Sequence, residues 1–405
     1  MSASTAQTTW WSRILRAQES GLVVVILVLS TFLALASKPK PKIEVVKPDM
    51  IAGVESSVQE SSDSFVLTVN GESKSFPKAD GWERRGSVIR RERTVNAFLD
   101  PENLVLLAKD ASFVAIMAVG MTGVIVLGGI DLSVGSIYGF AGLIGAMVLR
   151  SVQAGSLGVP DGANVIAEGG AALAVALPIA LLVCCGTGAA CGALNGALVV
   201  GLRLHPFIVT LGTLGAIRGV SFVMTKGLTI SGVPESLTDG CMKLQVAGTR
   251  PIPVFVMLGV CIVATVVLAR TVFGRSIYAI GGNETAAKYC GLPVGRVKIL
   301  THTICGLLAG LSACMAVGYF GSASPGDGEG YELKVIAATV IGGAALSGGR
   351  GTALGAVLGA ILVEIIHNAL LILNIDPNFY KIAMGASIVG AVVLDQAKSR
   401  LSARR

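Results

Sequence analysis

The chain has 405 residues, 53% of them hydrophobic and only 14% charged, with a mean hydropathy of +0.73; this balance excludes a soluble globular protein and marks a polytopic membrane protein. The formal net charge of +7 does not point to nucleic acid, because the basic residues cluster as a membrane-topology signal. Crossing the hydrocarbon core takes about 17–25 apolar residues. About ten runs in the chain reach that length, several broken by Gly or Pro. The expected fold is therefore an all-α membrane protein of about ten transmembrane or re-entrant helices with internal repeats.

The first element, residues 1–37, places Arg13, Arg16 and a paired Trp10-Trp11 before the run GLVVVILVLSTFLALA (21–36). It reads as a cytoplasmic N-terminus and an uncleaved first transmembrane helix. Ala34-Leu35-Ala36 imitates a signal-peptidase site, so cleavage stands as the alternative. Residues 38–102 then leave the membrane pattern. KPKPK is a stiff, solvated exit, SSVQESSDS reads as linker, and FVLTVNGESKSF carries an Asn70-Gly71 pair, a strong hairpin signal because both positions of a type I′ turn need positive φ. Twelve Lys/Arg and twelve Asp/Glu between Lys38 and Asp110 give no topology bias, so this insert is expected outside the cytoplasm, with a β-hairpin. A solvated, partly disordered loop is the alternative to a partner-docking module.

At residues 128–136 the sequence reads GGIDLSVGS, setting a carboxylate between two membrane-length runs. Asp131, with Gly128, Gly129, Ser133 and Gly135 around it, is expected to be oriented by helix-end amides near a membrane face. A second copy, GGAALSGGRG (342–351), holds Gly342, Gly343, Ser347, Gly348 and Gly349. Both read GG-x-x-L-S-x-G. A motif repeated in two halves of a transporter-like chain suggests broken helices meeting near a shared pathway; close glycine packing alone is the competing account. LSGGR also resembles the signature of ABC ATPases, but no Gly-Lys-Ser/Thr occurs to cradle phosphates, so no ATP is expected on this chain. No nucleophile elbow is present, the eight cysteines match neither a zinc site nor a disulfide framework, and the three histidines are far apart. No catalytic residue, metal or cofactor is expected.

Between Arg270 and Lys298 five basic residues face one acid, which puts this loop in the cytoplasm. Within it ETAAKYC reads as one short helix. Asn283 is its N-cap, Glu284 suits the first turn, and Gly291, Leu292 and Pro293 end it. Thr285 and Ala286 lie within the helix; Ala286, Ala287 and Tyr289 offer a small knob for a cytoplasmic partner. The basic tail, 396–405, also reads as cytoplasmic, so an even number of spans follows.

Taken with GYELKVIAATVIGGAALSGGRGT and GAILVEIIHNALLILNI, these stretches resemble the permease subunits of ribose-type carbohydrate ABC importers over about residues 103–395. The resemblance implies a permease homodimer or pseudo-dimer in the inner membrane. It also implies ABC ATPase subunits on the cytoplasmic face, a periplasmic sugar-binding protein outside, and a coupling role for Asn283 to Pro293. Transport of a ribose-like sugar by alternating access is the expected function, with ATP hydrolysis left to the partners. Asn195, Thr210, Asn368 and Asn374, with Asp131 and Ser133, are candidate path residues; each could equally be a buried polar bridge between helices. The insert at 38–102 departs from the family pattern. The rival class is an ion-coupled secondary transporter using Glu364 and His367 at i and i+3.

Overall fold

The computed structural model describes residues 18–46, 56–69, 72–85, 88–157, 171–246, 249–376, 378–382, 384–386, 389–390 and 393. Its helices of six residues or more are α1 (Gln18–Ala36), α2 (Pro101–Val126), α3 (Val134–Leu157), α4 (Leu173–Gly201), α5 (Pro206–Thr225), α6 (Ile252–Arg270), α7 (Val272–Gly282), α8 (Glu284–Tyr289), α9 (Val294–Phe320), α10 (Tyr331–Ile341) and α11 (Ala353–Ile372). Among the described residues eight are long and apolar enough to cross a membrane: α1 to α6, α9 and α11. α7 and α10, eleven residues each, span about half that depth. Arg13, Arg16 and the basic tail lie outside the described residues, as does much of the apolar run after Phe379.

The chain divides into two compact units, one of residues 31–104 with 372–374 and one of the remainder. The smaller unit is a folded β module. β1 (Pro39–Val46), β6 (Val88–Asn96) and β5 (Trp82–Arg85) form one antiparallel sheet in the order β1-β6-β5; β2 (Ser56–Glu60), β3 (Ser64–Val69) and β4 (Glu72–Pro77) form another. Asn70-Gly71 lies outside the described residues, while Val69 and Glu72 on either side of it are paired. The alternation of β3 turns Phe65 and Leu67 inward, and Phe76 pairs directly across from Phe65. With Trp82 and Ile89 they close a small core, in which the Phe76 and Trp82 rings meet edge-on at 4.9 Å. The SSVQE expected as linker is thus strand β2. Lys42 Nζ bridges Asp100 at 2.9 Å and Glu102 at 3.0 Å, and the hydrogen bond to Asp100 raises its pKa above the ordinary lysine value.

In the larger unit α2 is buried on every side from Ala111 to Val126, as a helix apolar all round must be. α4 and α9 cross with their backbones in contact. Gly188 faces Gly306, Gly192 faces the His302 carbonyl, Gly196 faces Ile299, and Gly310 faces Cys184. Lipid supplies no hydrophobic drive between helices, so such small-residue seams carry the packing. α5 and α6 leave Val223, Phe255 and Ile262 uncovered, the pattern of surfaces meant for lipid or another subunit.

Candidate functional site

At the end of α2, Gly128 adopts φ +82, its N–H donates to Ile125 O at 2.8 Å, and Gly129 N–H donates to Val124 O at 3.0 Å. This left-handed cap stops the helix. Asp131 follows and is fully buried. Its Oδ1 accepts from the Ser133 N–H at 2.9 Å and the Ser133 hydroxyl at 2.6 Å, and Asn195 Nδ2 donates to Ser133 Oγ at 2.7 Å. Thr210 Oγ1 accepts from Leu132 N–H at 3.0 Å and donates to Pro206 O at 2.9 Å. The structure therefore gathers Asp131, Ser133, Asn195 and Thr210 into one enclosed stitch joining the α2–α3 turn to α4 and α5. All four have no exposed surface. In this conformation they bridge elements. Among the described residues the second oxygen of Asp131 and the amide oxygen of Asn195 have no hydrogen-bond partner, nor does Nε2 of the buried His302, a residue the sequence motifs did not single out.

The second motif repeats the cap. Gly343 has φ +98, donates to Val340 O at 2.9 Å, and Ala344 N–H donates to Thr339 O at 3.1 Å. By geometry Gly343 is the counterpart of Gly128, one residue out of step with the match of Gly128 to Gly342, which stays right-handed as the C-cap of α10. The loop that follows folds onto its neighbours. Gly349 N–H donates to Val126 O, the last carbonyl of α2, at 2.8 Å, and the Tyr278 hydroxyl on α7 donates to Gly351 O at 2.6 Å. A side chain at Gly281 would overlap both Val126 O and Gly349 N. Ser347 is exposed, whereas Gly342 is buried.

α7 leads directly into α8. The Asn283 side chain accepts from Ala286 N–H at 2.9 Å, and Gly291, at φ +79, closes the other end with Leu292 N–H donating to Ala287 O at 3.1 Å. Lys298 on α9 bonds Glu284 at 2.8 Å. The knob expected at Ala286, Ala287 and Tyr289 needs correcting. Ala287 is only 5% exposed and packs into the core, while Tyr289 is 88% exposed. Six residues make fewer than two turns, so one face rests on the chain and Glu284, Thr285, Ala286, Lys288 and Tyr289 make the outer surface.

Glu364 is buried between Lys334 Nζ at 3.3 Å and His367 Nδ1 at 3.5 Å, and the Lys334 ammonium lies 5.3 Å from the Tyr331 ring centre and 4.9 Å from that of Tyr380. A carboxylate already paired with an internal lysine is poorly suited to take up a transported cation. Asn368, one residue beyond His367, is half-buried; Asn374 is exposed with φ +59. Among the described residues no three His, Cys, Asp or Glu are placed to hold a metal.

Residues 103–392 match the family described as "Branched-chain amino acid transport system / permease component". The chain is 37% identical over 306 residues to the ribose import permease of Escherichia coli K12, covering 74% of this chain and 88% of that protein. It is 34% identical over 304 residues to the ribose import permease of Bacillus subtilis, 75% and 87% of the two chains. To the galactose/methyl galactoside import permease of E. coli K12 it is 33% identical over 306 residues, 74% and 88%. No solved structure matches the chain. The capped helix breaks, the apolar helices and these likenesses lead to one conclusion: the chain is a multi-pass membrane protein of the branched-chain amino acid transport system / permease component family, in the branch of the ribose-type import permeases.

Proposed function

We propose that this chain is the membrane-spanning permease of an ATP-binding-cassette importer that carries a ribose-like monosaccharide across the inner membrane by alternating access. In this reading two permeases pair as a homodimer or pseudo-dimer, separate ATPase subunits dock on the cytoplasmic face, and a periplasmic sugar-binding protein delivers substrate to the other face. Both termini and α8 face the cytoplasm and the 38–102 module lies outside. The observation that carries the proposal is α8: a separately capped helix with a seated Ala287 and an outward Tyr289, continuous with α7, which touches the ends of α2 and the 342–351 loop. Such a part can pass a partner's movement to the spans.

Exposed Cys290 reports the sidedness. In intact spheroplasts an impermeant maleimide should leave the Cys290 peptide unmodified by mass spectrometry and modify a Ser62→Cys variant; in everted vesicles the pattern should reverse. Modification of Cys290 in intact spheroplasts puts α8 on the wrong side for an ATPase and overturns the proposal.

A further inference from the structure

A cavity of about 410 Å³ lies among α3, the end of α9 and the 321–331 segment. Its volume falls in the range of about 300–1,000 Å³ typical of small-molecule sites. It is built around two aromatic rings, Tyr138 and Tyr331, with centres 5.4 Å apart and planes 32° off parallel. Polar groups on its wall come from Asp327, Ser322, Ser324 and Thr229. Among the described residues, no group hydrogen-bonds the hydroxyls of Tyr138, Thr229, Ser322, Ser324 or Tyr331.

The wall is held in place by interactions that serve no other evident purpose. Arg218 on α5 donates through Nη1 to the carbonyls of Pro325 and Asp327, fixing the loop. Asp327 Oδ2 accepts from Ser324 N–H at 2.8 Å, which turns the loop back on itself. Gly135 and Gly139 lie so close to Gly328 O and Asp327 O that no side chain fits there. This close seating of the loop on α3 is what sets Tyr331 beside Tyr138.

We infer that this cavity is a transit subsite for a neutral polyhydroxylated ligand of monosaccharide size, with the tyrosine rings against its C–H face and Asp327 accepting from its hydroxyls. A sugar ring offers an apolar face and a rim of hydroxyls, and a cavity pairing aromatic faces with unoccupied hydroxyls and one carboxylate complements both. The lining holds one carboxylate and no cation. A free amino acid could pair its ammonium with Asp327, but its carboxylate would meet no cation on the lining, a cost that a neutral sugar does not incur. The same argument excludes a phosphorylated sugar. The inference rests on the monosaccharide reading proposed above and deepens it by naming a site within the permease.

The test combines uptake with site protection, using the full-length chain. Cells expressing the complete importer are given a panel of labelled neutral monosaccharides and a labelled branched amino acid. In parallel, the purified Ser322→Cys variant is modified by a small maleimide with and without each unlabelled compound in excess, read on the peptide that carries the new thiol. The transported sugar should slow that modification severalfold, and the amino acid should not. Asp327→Asn, which keeps an acceptor for Ser324 N–H, should lower uptake about tenfold or more through loss of a charge-assisted hydrogen bond. Tyr331→Phe keeps the ring, and it should lose less than Tyr331→Leu. Sugar uptake with no protection and unchanged Asp327→Asn and Tyr331→Leu variants overturns the subsite and leaves the transport reading standing. Protection without uptake supports the subsite and overturns the transport reading. Neither uptake nor protection overturns both, and protection by the amino acid overturns the ligand class.

Discussion

Gly192→Leu should abolish recovery of the folded chain from membranes, whereas Gly186→Leu on the same helix should leave it unchanged. At Gly192 an added side chain would overlap the His302 carbonyl and the Thr303 backbone, and its neighbours Gly188 and Gly196 are closed off in the same way by Gly306, Gly310 and Ile299. The obstruction is backbone, so no side-chain rotation relieves it. α4 would have to move off α9 along the whole seam, and with it would go the stitch from Asn195 to Ser133 and Asp131. Overpacking a tight core costs about 1–3 kcal/mol where side chains can adjust, and more where they cannot. Gly186 has nothing within reach of a Cβ, so it controls for added bulk and hydrophobicity. Size-exclusion profiles of detergent-extracted protein decide the matter: a monodisperse Gly192→Leu peak equal in yield to Gly186→Leu would remove the seam from the account.

Tyr289→Asp should insert and fold like the wild type yet lose both co-purification of the ATPase subunit and sugar uptake. Its ring is 88% exposed on α8, and tyrosine is among the residue types that most often anchor an interface. Aromatic anchors of this kind contribute about 2 kcal/mol or more to an interface, roughly a thirtyfold loss of affinity when removed. Behind α8 the mechanical link is short. The helix is seated through Ala287 and tied to α9 by Glu284 and Lys298, while Gly281 sits against Val126 O and Gly349, and Tyr278 holds Gly351 O. A push on α8 therefore reaches α2 and the second glycine motif directly. Ala287→Glu is not an equivalent test, since it buries a charge in the core and should fail at folding. Wild-type ATPase retention and uptake in Tyr289→Asp would sink the coupling role.

What could be read in the sequence follows the range of the forces involved. The start of α8 was legible to the residue and its end to within one, since ETAAKYC runs on to Cys290, which is the C-cap; caps and stops are local: Asn283 bonds Ala286 three residues on, and Gly291 supplies its own positive φ. That Ala287 faces inward was not legible, since it depends on packing against residues distant in sequence. The repeated glycine motif showed that two helices break, but the letters align Gly128 with Gly342 whereas the backbone aligns it with Gly343. Charge and composition marked 38–102 as outside the membrane pattern and understated its order. Its core is only five apolar residues, Phe65, Leu67, Phe76, Trp82 and Ile89, dispersed over two sheets, and no short window shows them as a face. Asp131, Ser133, Asn195 and Thr210 were recognisable as unusual polar residues in apolar runs. The bond from Asn195 to Ser133 spans 62 positions in sequence and that from Leu132 N–H to Thr210 spans 78, so only the fold reveals them. The 410 Å³ cavity was invisible for the same reason: Tyr138, Thr229 and Tyr331 lie on three separate stretches.

In the proposed function this chain passes a neutral monosaccharide through the membrane at the expense of ATP hydrolysed by its partners. It is tested most directly by following labelled monosaccharides into proteoliposomes that contain the purified chain, its ATPase subunit and its sugar-binding protein, with ATP enclosed. A ribose-like sugar should accumulate only with enclosed ATP and this chain present, and a protonophore should leave that accumulation unchanged. Accumulation that proceeds without ATP, or collapses with a protonophore while ATP is held constant, would contradict it.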